Sequence, residues 1–305
     1  MPKMHVNRSI HVSAKKDHIL SIVQDFNQWR SWSPWLILEP EAQMTVSADG
    51  NSYSWEGKRI GSGEMSIKKA GDSRVDYDLT FLTPYKSHAD TAFKVEQQGE
   101  GSKVTWLMDS SLPFFMFFMK KKMEAWIGMD FERGLKMLKD YAETGKVNST
   151  LEFVGNHSYK GTKYIGIRTD TTMKAIGDAM QADFDALGEF LKDSELGNGE
   201  VFAQYHKFDM VNGNVTYTAG MGVHDFPDTM PSSWIKGSIP ATSMYTVRHT
   251  GPYDHIGNAW SAAQNLLRSK TFKHKKEIHP FEFYKNSPHE VAPEELVSEI
   301  SFATK

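Results

Sequence analysis

The chain has 305 residues, 39% hydrophobic and 24% charged, which is the balance of a soluble globular protein long enough for two domains. A formal net charge of −3 argues against a nucleic-acid surface, and the absence of cysteine removes disulfide and thiolate chemistry and fits a reducing cytoplasm. The longest aromatic patch, LPFFMFFM, has eight residues against the roughly 20 of a bilayer span, and the opening MPKMHVNRSIHV lacks the apolar stretch of a signal peptide.

Residues 4–12 alternate as a strand. Residues 15–29 space Ile19, Ile22, Val23 and Phe26 as one helical face. Strand-like runs follow at 43–47, 51–58, 63–69, 74–83, 87–97 and 102–110, broken by the turn signals ADGN, KAGD and QGEGS. Within them Val75, Tyr77, Leu79 and Phe81 share one face, and Val104, Trp106 and Met108 share another. The polar residues lie opposite, the mark of an antiparallel sheet buried on one side. Residues 116–142 carry Met123, Ile127, Phe131, Leu135 and Leu138 as the stripe of a long helix.

Strand, short helices, meander and long closing helix make a helix-grip layout. With YSWEGKRIGSGEMSI, GEGSKVTWLMDSSLP and MEAWIGMDFERGLKMLKDYAE, residues 1–145 resemble the START/polyketide-cyclase (SRPBCC) superfamily. The resemblance implies a cavity between sheet and long helix that holds an apolar ligand. No catalytic set is evident there. Asp76 and Asp78 sit on the polar face of their strand and, with Asp90, read as solvated carboxylates; His88 alone is weak evidence for acid–base or metal chemistry.

Residues 151–305 contain a duplication. YIGIRTDTTMKAIGDAM (164–180) compares with YTVRHTGPYDHIGNAW (245–260) at an offset of 80, pairing Arg168 with Arg248, Ile176 with Ile256, Gly177 with Gly257 and Ala179 with Ala259. Each copy, about 151–225 and 238–305, reads as strand, helix, strand, strand, with helices near 172–192 and 253–269. Two copies at this period indicate a pseudo-symmetric domain, since a solenoid needs at least three. After each helix, FAQYHKF (202–208) aligns with FEFYKNS (281–287) at an offset of 79. Phe202 matches Phe281, Tyr205 matches Tyr284, and Ala203 matches Glu282. The acid is therefore no requirement of the shared scaffold, which makes Glu282 a site candidate. Strand alternation puts Glu282 and Tyr284 on one face and Phe281 and Phe283 on the other.

IPATSMYTVRHTGPYDHIGNAWSAAQNLL, HPFEFYKNSP and EELVSEISFAT resemble the GyrI-like family, whose module also serves as the effector-binding domain of AraC-type regulators. The resemblance covers 151–305. It implies a duplicated β-α-β-β fold with a groove at the pseudo-twofold axis, a pocket acid at Glu282, its aromatic partner at Tyr284 and a groove aromatic at Trp260. Tyr205 enters through the repeat, and Trp234, in the connector, as a cover of the groove.

The fold class expected is α+β, an antiparallel helix-grip sheet with a long C-terminal helix followed by the duplicated domain. A carboxylate inside an aromatic wall either takes up a proton or attracts a cation. The first expectation is thus a protein that binds or senses an amphipathic small molecule, cations included, with ligand residues Glu282, Tyr284, Trp260, Tyr205 and Trp234. A hydrolase using Glu282 and Tyr284 is the second, and a gyrase-inhibitor-like interaction module the third, so catalysis and a protein partner stay open. No HExxH, P-loop, GxGxxG or nucleophile context is present, hence no cofactor and no metal are expected. Nor is there a helix-turn-helix; the expected partners exclude nucleic acid and membrane, and the expected location is the cytoplasm.

Overall fold

The computed structural model describes residues 2–192, 194–197 and 199–305. The chain divides into two compact units, Met1–Ser149 and Thr150–Lys305.

In the first unit β1 (Lys3–Val12) is followed by α1 (Lys16–Gln24) and α2 (Phe26–Trp32), then by β2 (Gln43–Val46), β3 (Ser52–Gly57), β4 (Gly61–Ala70), β5 (Arg74–Thr83), β6 (Ser87–Gln98) and β7 (Gly101–Ser111). A 3-10 turn, Phe114–Met119, leads into α3 (Lys120–Thr144). The strands form one antiparallel sheet in the order β1, β7, β6, β5, β4, β3, β2, with α3 packed on β1 and β7. This is the helix grip. The single helix expected over 15–29 breaks at Asp25, whose carboxylate accepts the Asn27 N–H at 3.0 Å and caps α2. The break re-aims Phe26, Trp29 and Trp32 into the core, where all three are fully buried. Gly145, at φ +77°, closes α3 in the left-handed conformation.

Between sheet and α3, where a cavity was expected, rings pack on rings. Trp106 stacks on Phe131 with centroids 4.3 Å apart and lies 4.6 Å from Phe93. Gly134 makes room for it, since a Cβ there would lie 2.6 Å from the indole. The indole N–H donates to Thr91 Oγ1 at 3.0 Å, so the polar edge is satisfied inside the core.

The second unit comprises β8 (Thr150–Tyr159), β9 (Thr162–Thr172), α4 (Ile176–Leu191), β10 (Val201–Asp209), β11 (Asn214–Val223), β12 (Ile235–Ile239), β13 (Thr242–Thr250), α5 (Gly257–Arg268), β14 (Phe281–Tyr284) and β15 (Val297–Thr304). They make one antiparallel sheet in the order β12, β9, β11, β10, β14, β15, β13, β8. Read outward from its centre, β10-β11-β9 mirrors β14-β15-β13, so the pseudo-twofold axis passes between β10 and β14. Each copy also has a leading strand that the sequence pattern did not reveal. β8, ahead of the first copy, pairs with β13 of the second, and β12, ahead of the second, pairs with β9 of the first. The copies thus exchange edge strands, so that β12 and β8, rather than β9 and β13, are the outermost strands of the sheet.

Candidate functional site

At the axis, β10 and β14 run antiparallel with Ala203 directly opposite Glu282. Ala203 and Glu282, which match by the 79-residue offset, are therefore also cross-strand neighbours, with Cβ atoms about 5 Å apart. Space beside the axis accommodates one long side chain. The alanine leaves that space to Glu282, which is only 4% exposed.

Three neutral donors converge on the carboxylate. Tyr284 donates to Oε1 at 2.6 Å, Trp260 Nε1 donates to Oε2 at 2.6 Å, and Tyr205 donates to Oε2 at 3.3 Å. The two tyrosines are the repeat-related pair, one from each copy. Continuing the 80-residue offset past Ala179 and Ala259 matches Met180 to Trp260, and these too sit symmetrically. Trp260 packs edge-on against Tyr205 at 4.9 Å, and Met180 Sδ lies 3.5 Å from the Tyr284 hydroxyl. Phe184 and Tyr253 pack edge-on against Tyr284 at 5.4 and 5.6 Å. Phe281 and Phe283 point to the other face, into a core with Phe202, Tyr164 and Met244.

Of the five ligand residues expected from sequence, the structure brings together Glu282, Tyr284, Trp260 and Tyr205. Trp234 makes its ring contact with Phe190 of α4, in the cluster beneath that helix, and gives no hydrogen bond to Glu282. Met180, Phe184 and Tyr253 were missed. The extended repeat alignment would have found Met180, whereas Phe184 and Tyr253 come together with Tyr284 only in the folded domain.

A second acid belongs to the same helix–sheet layer. Asp183 of α4 accepts from Thr169 and Tyr217 at 2.8 and 2.7 Å, and Tyr217 is the cross-strand neighbour of Tyr205. Elsewhere, Asp78, His88 and Asp90 bring ligand-type atoms within 4.8 Å of one another on the polar face of the first sheet. That group is internally matched: His88 pairs with Asp78 at 3.0 Å and Lys68 with Asp90 at 2.6 Å.

Burial drives the Glu282 carboxyl above its ordinary 4.5, and the three donors offset this only in part. Burial and the neighbouring Glu282 push the Tyr205 and Tyr284 hydroxyls well above their usual range, and Tyr253 to about 12. No lysine, arginine or histidine pairs with Glu282 among the described residues. Because the folded state holds this proton more tightly than the unfolded state, the stability it contributes is full below pH 4.5 and is lost as pH rises through the higher folded value. Glu282→Gln should remove that loss. Its amide accepts from Trp260 and Tyr205, while the Tyr284 hydroxyl turns toward Met180. Urea denaturation should show the variant more stable than the parent at neutral pH, with the gain vanishing toward pH 4. A gain that does not depend on pH would contradict this.

Residues 3–143 match the family described as polyketide cyclase/dehydrase and lipid transport, and residues 159–305 match the GyrI-like small-molecule-binding domain. Among solved structures, the chain is similar to EcmrR in its DNA complex, at 18% identity and a TM-score of 0.45, over 61% of this chain and 68% of that one. It is also similar to the EcmrR C-terminal domain, at 18% identity and a TM-score of 0.42, over 52% and 96%. A START superfamily protein from Mycobacterium smegmatis aligns at 17% identity and a TM-score of 0.35, over 47% and 99%. No curated protein sequence matches the chain.

Proposed function

From a chain that joins a polyketide cyclase/dehydrase and lipid-transport domain to a GyrI-like small-molecule-binding domain, we propose that the second domain binds an amphipathic cation at Glu282. One observation carries this reading: a carboxylate with 4% exposure that has three hydrogen-bond donors and no countercharge among the described residues. Neutral donors solvate a buried anion but do not neutralise it. A cationic guest supplies the missing charge, and the faces of Tyr284, Trp260, Tyr205 and Tyr253 add about 0.5–2 kcal/mol each through cation–π attraction. Tyr253, 37% exposed at the rim, and the flexible Met180 are the side chains that part to admit it.

The test is calorimetric titration with aryl ammonium cations and their neutral, equally apolar analogues. Cations should bind, neutral analogues at least tenfold more weakly, and Glu282→Gln should cost the cations about 30-fold or more. Equal affinity for both series, or unchanged affinity in Glu282→Gln, sinks the reading.

The 2.6 Å contact between Tyr284 and a carboxyl raised by burial also favours a second reading, hydrolysis of a reactive small molecule with Glu282 as proton carrier. Turnover of an electrophilic substrate that disappears in Glu282→Gln would establish it; binding without turnover across the panel would remove it.

A further inference from the structure

The aromatic run of the first unit is not used by the fold. In the 3-10 turn Phe114–Met119 no residue is buried, and Phe114, Phe115, Phe117 and Phe118 are 76, 73, 60 and 70% exposed. At three residues per turn, Phe114 stands above Phe117, Phe115 above Phe118 and Met116 above Met119. All three sides are apolar. The methionines are half-buried, and the two phenylalanine sides face out.

A second exposed apolar segment lies at the same end of the sheet. The β5–β6 hairpin tip carries Tyr85, 82% exposed, and Leu82, 43% exposed. β7 pairs with both neighbours at its C-terminal end, Ser110 with Ala89 of β6 and Ser111 with Lys3 of β1. The chain therefore leaves β7 for the turn at the same end of the sheet as the hairpin tip. Five lysines belong to that end: Lys3, Lys86 and the run Lys120–Lys122. Lys120 reaches Glu124 at 3.6 Å, while Lys3, Lys86, Lys121 and Lys122 form no ion pair among the described residues. The lysine run opens α3, whose first turn has no acidic residue. Cations at a helix N-terminus oppose the macrodipole, so they do not serve the helix.

We propose that this end of the first unit is a docking surface for an anionic phospholipid membrane. A protein partner must match shape, and a narrow turn with rings on two sides offers no flat face to match. A bilayer interface has no fixed shape to satisfy. The rings enter the acyl boundary and the lysines stay at the headgroups, giving the two signals that stable peripheral attachment needs. This contact differs from spanning, for which no helix among the described residues is long and apolar enough. It revises the expectation of no membrane partner, which rested on span length alone.

The test is flotation of the full chain with vesicles of phosphatidylcholine alone, or mixed equally with phosphatidylglycerol. The chain should float with the mixed vesicles, less so at high salt, and poorly with the neutral ones. Joint replacement of Phe114, Phe115, Phe117 and Phe118 by serine should abolish flotation with an unchanged melting curve, because none of the four is in the core. Tyr85→Ser should weaken it alone. Lys121→Gln with Lys122→Gln should weaken it by roughly fivefold per lysine at low salt. Failure to float with anionic vesicles overturns the proposal. So does flotation indifferent to the serine replacements, which would be charge attraction without insertion. So too does a lipid-independent dimer, seen by sedimentation, that the serine replacements dissociate.

Discussion

Ala203→Glu is expected to unfold the second unit at neutral pH. Ala203 is fully buried and faces Glu282 across the β10–β14 pair, so the substitution places two acidic side chains on Cβ atoms about 5 Å apart, with no cation beside them among the described residues. Overpacking alone costs about 1–3 kcal/mol. The second uncompensated charge brings the total to about 4 kcal/mol or more, a large part of what a domain of this size has in reserve. Ala203→Gln separates the two contributions, because it adds the bulk without the charge. Urea denaturation should rank the parent above Gln and Gln above Glu. The gap between Gln and Glu should narrow as pH falls and the two acids come to share or bind protons. A glutamate as stable as the glutamine at pH 7 would mean that the axis is open to water, which would also undercut Glu282 as a sequestered acid.

Trp106→Ala is expected to be as damaging in the first unit. The indole lies within ring-contact distance of Trp29, Trp32, Trp35, Phe93 and Phe131, and its N–H is spent on Thr91. Truncation removes the indole, leaves a cavity bounded by α3 and the sheet, and strands the threonine hydroxyl's partner interaction. The cost should be about 3–5 kcal/mol, read as a lower urea midpoint with near-ultraviolet circular dichroism lost first. Trp106→Phe should recover part of it, because Phe93 and Phe131 can still pack on the smaller ring. A loss below about 1 kcal/mol would show that the space between sheet and α3 is loosely filled and can admit a guest, as the resemblance to START proteins had implied.

Much of the architecture was legible in the chain. Period-two alternation in 74–82 and 103–109 marked the buried face of the first sheet, and Val75, Tyr77, Val104 and Trp106 all lie in the core. The 79-residue offset that matched Ala203 with Glu282 foretold more than a duplication. In a twofold arrangement, equivalent residues meet only at the axis, so their asymmetry pointed to the axis, where Glu282 lies buried opposite Ala203. Tyr205 reached the site by the same route. Trp234 did not; its place in the connector left its direction open.

The sequence by itself determined most of the elements, the α+β class, the duplication and the Ala203/Glu282 difference between the copies, because these follow from local periodicity and from comparison of one stretch with another. Only the tertiary structure decided which segments are neighbours: the exchange of β8 and β12, the meeting of Met180, Phe184 and Tyr253 around Tyr284, and the placing of the β5–β6 hairpin tip and Phe114–Phe118 at the same end of the first sheet. The aromatic run could be read from sequence only as a patch too short to span a bilayer, for the same reason. Whether a phenylalanine is core or surface depends on what packs over it, and that is set by segments distant along the chain.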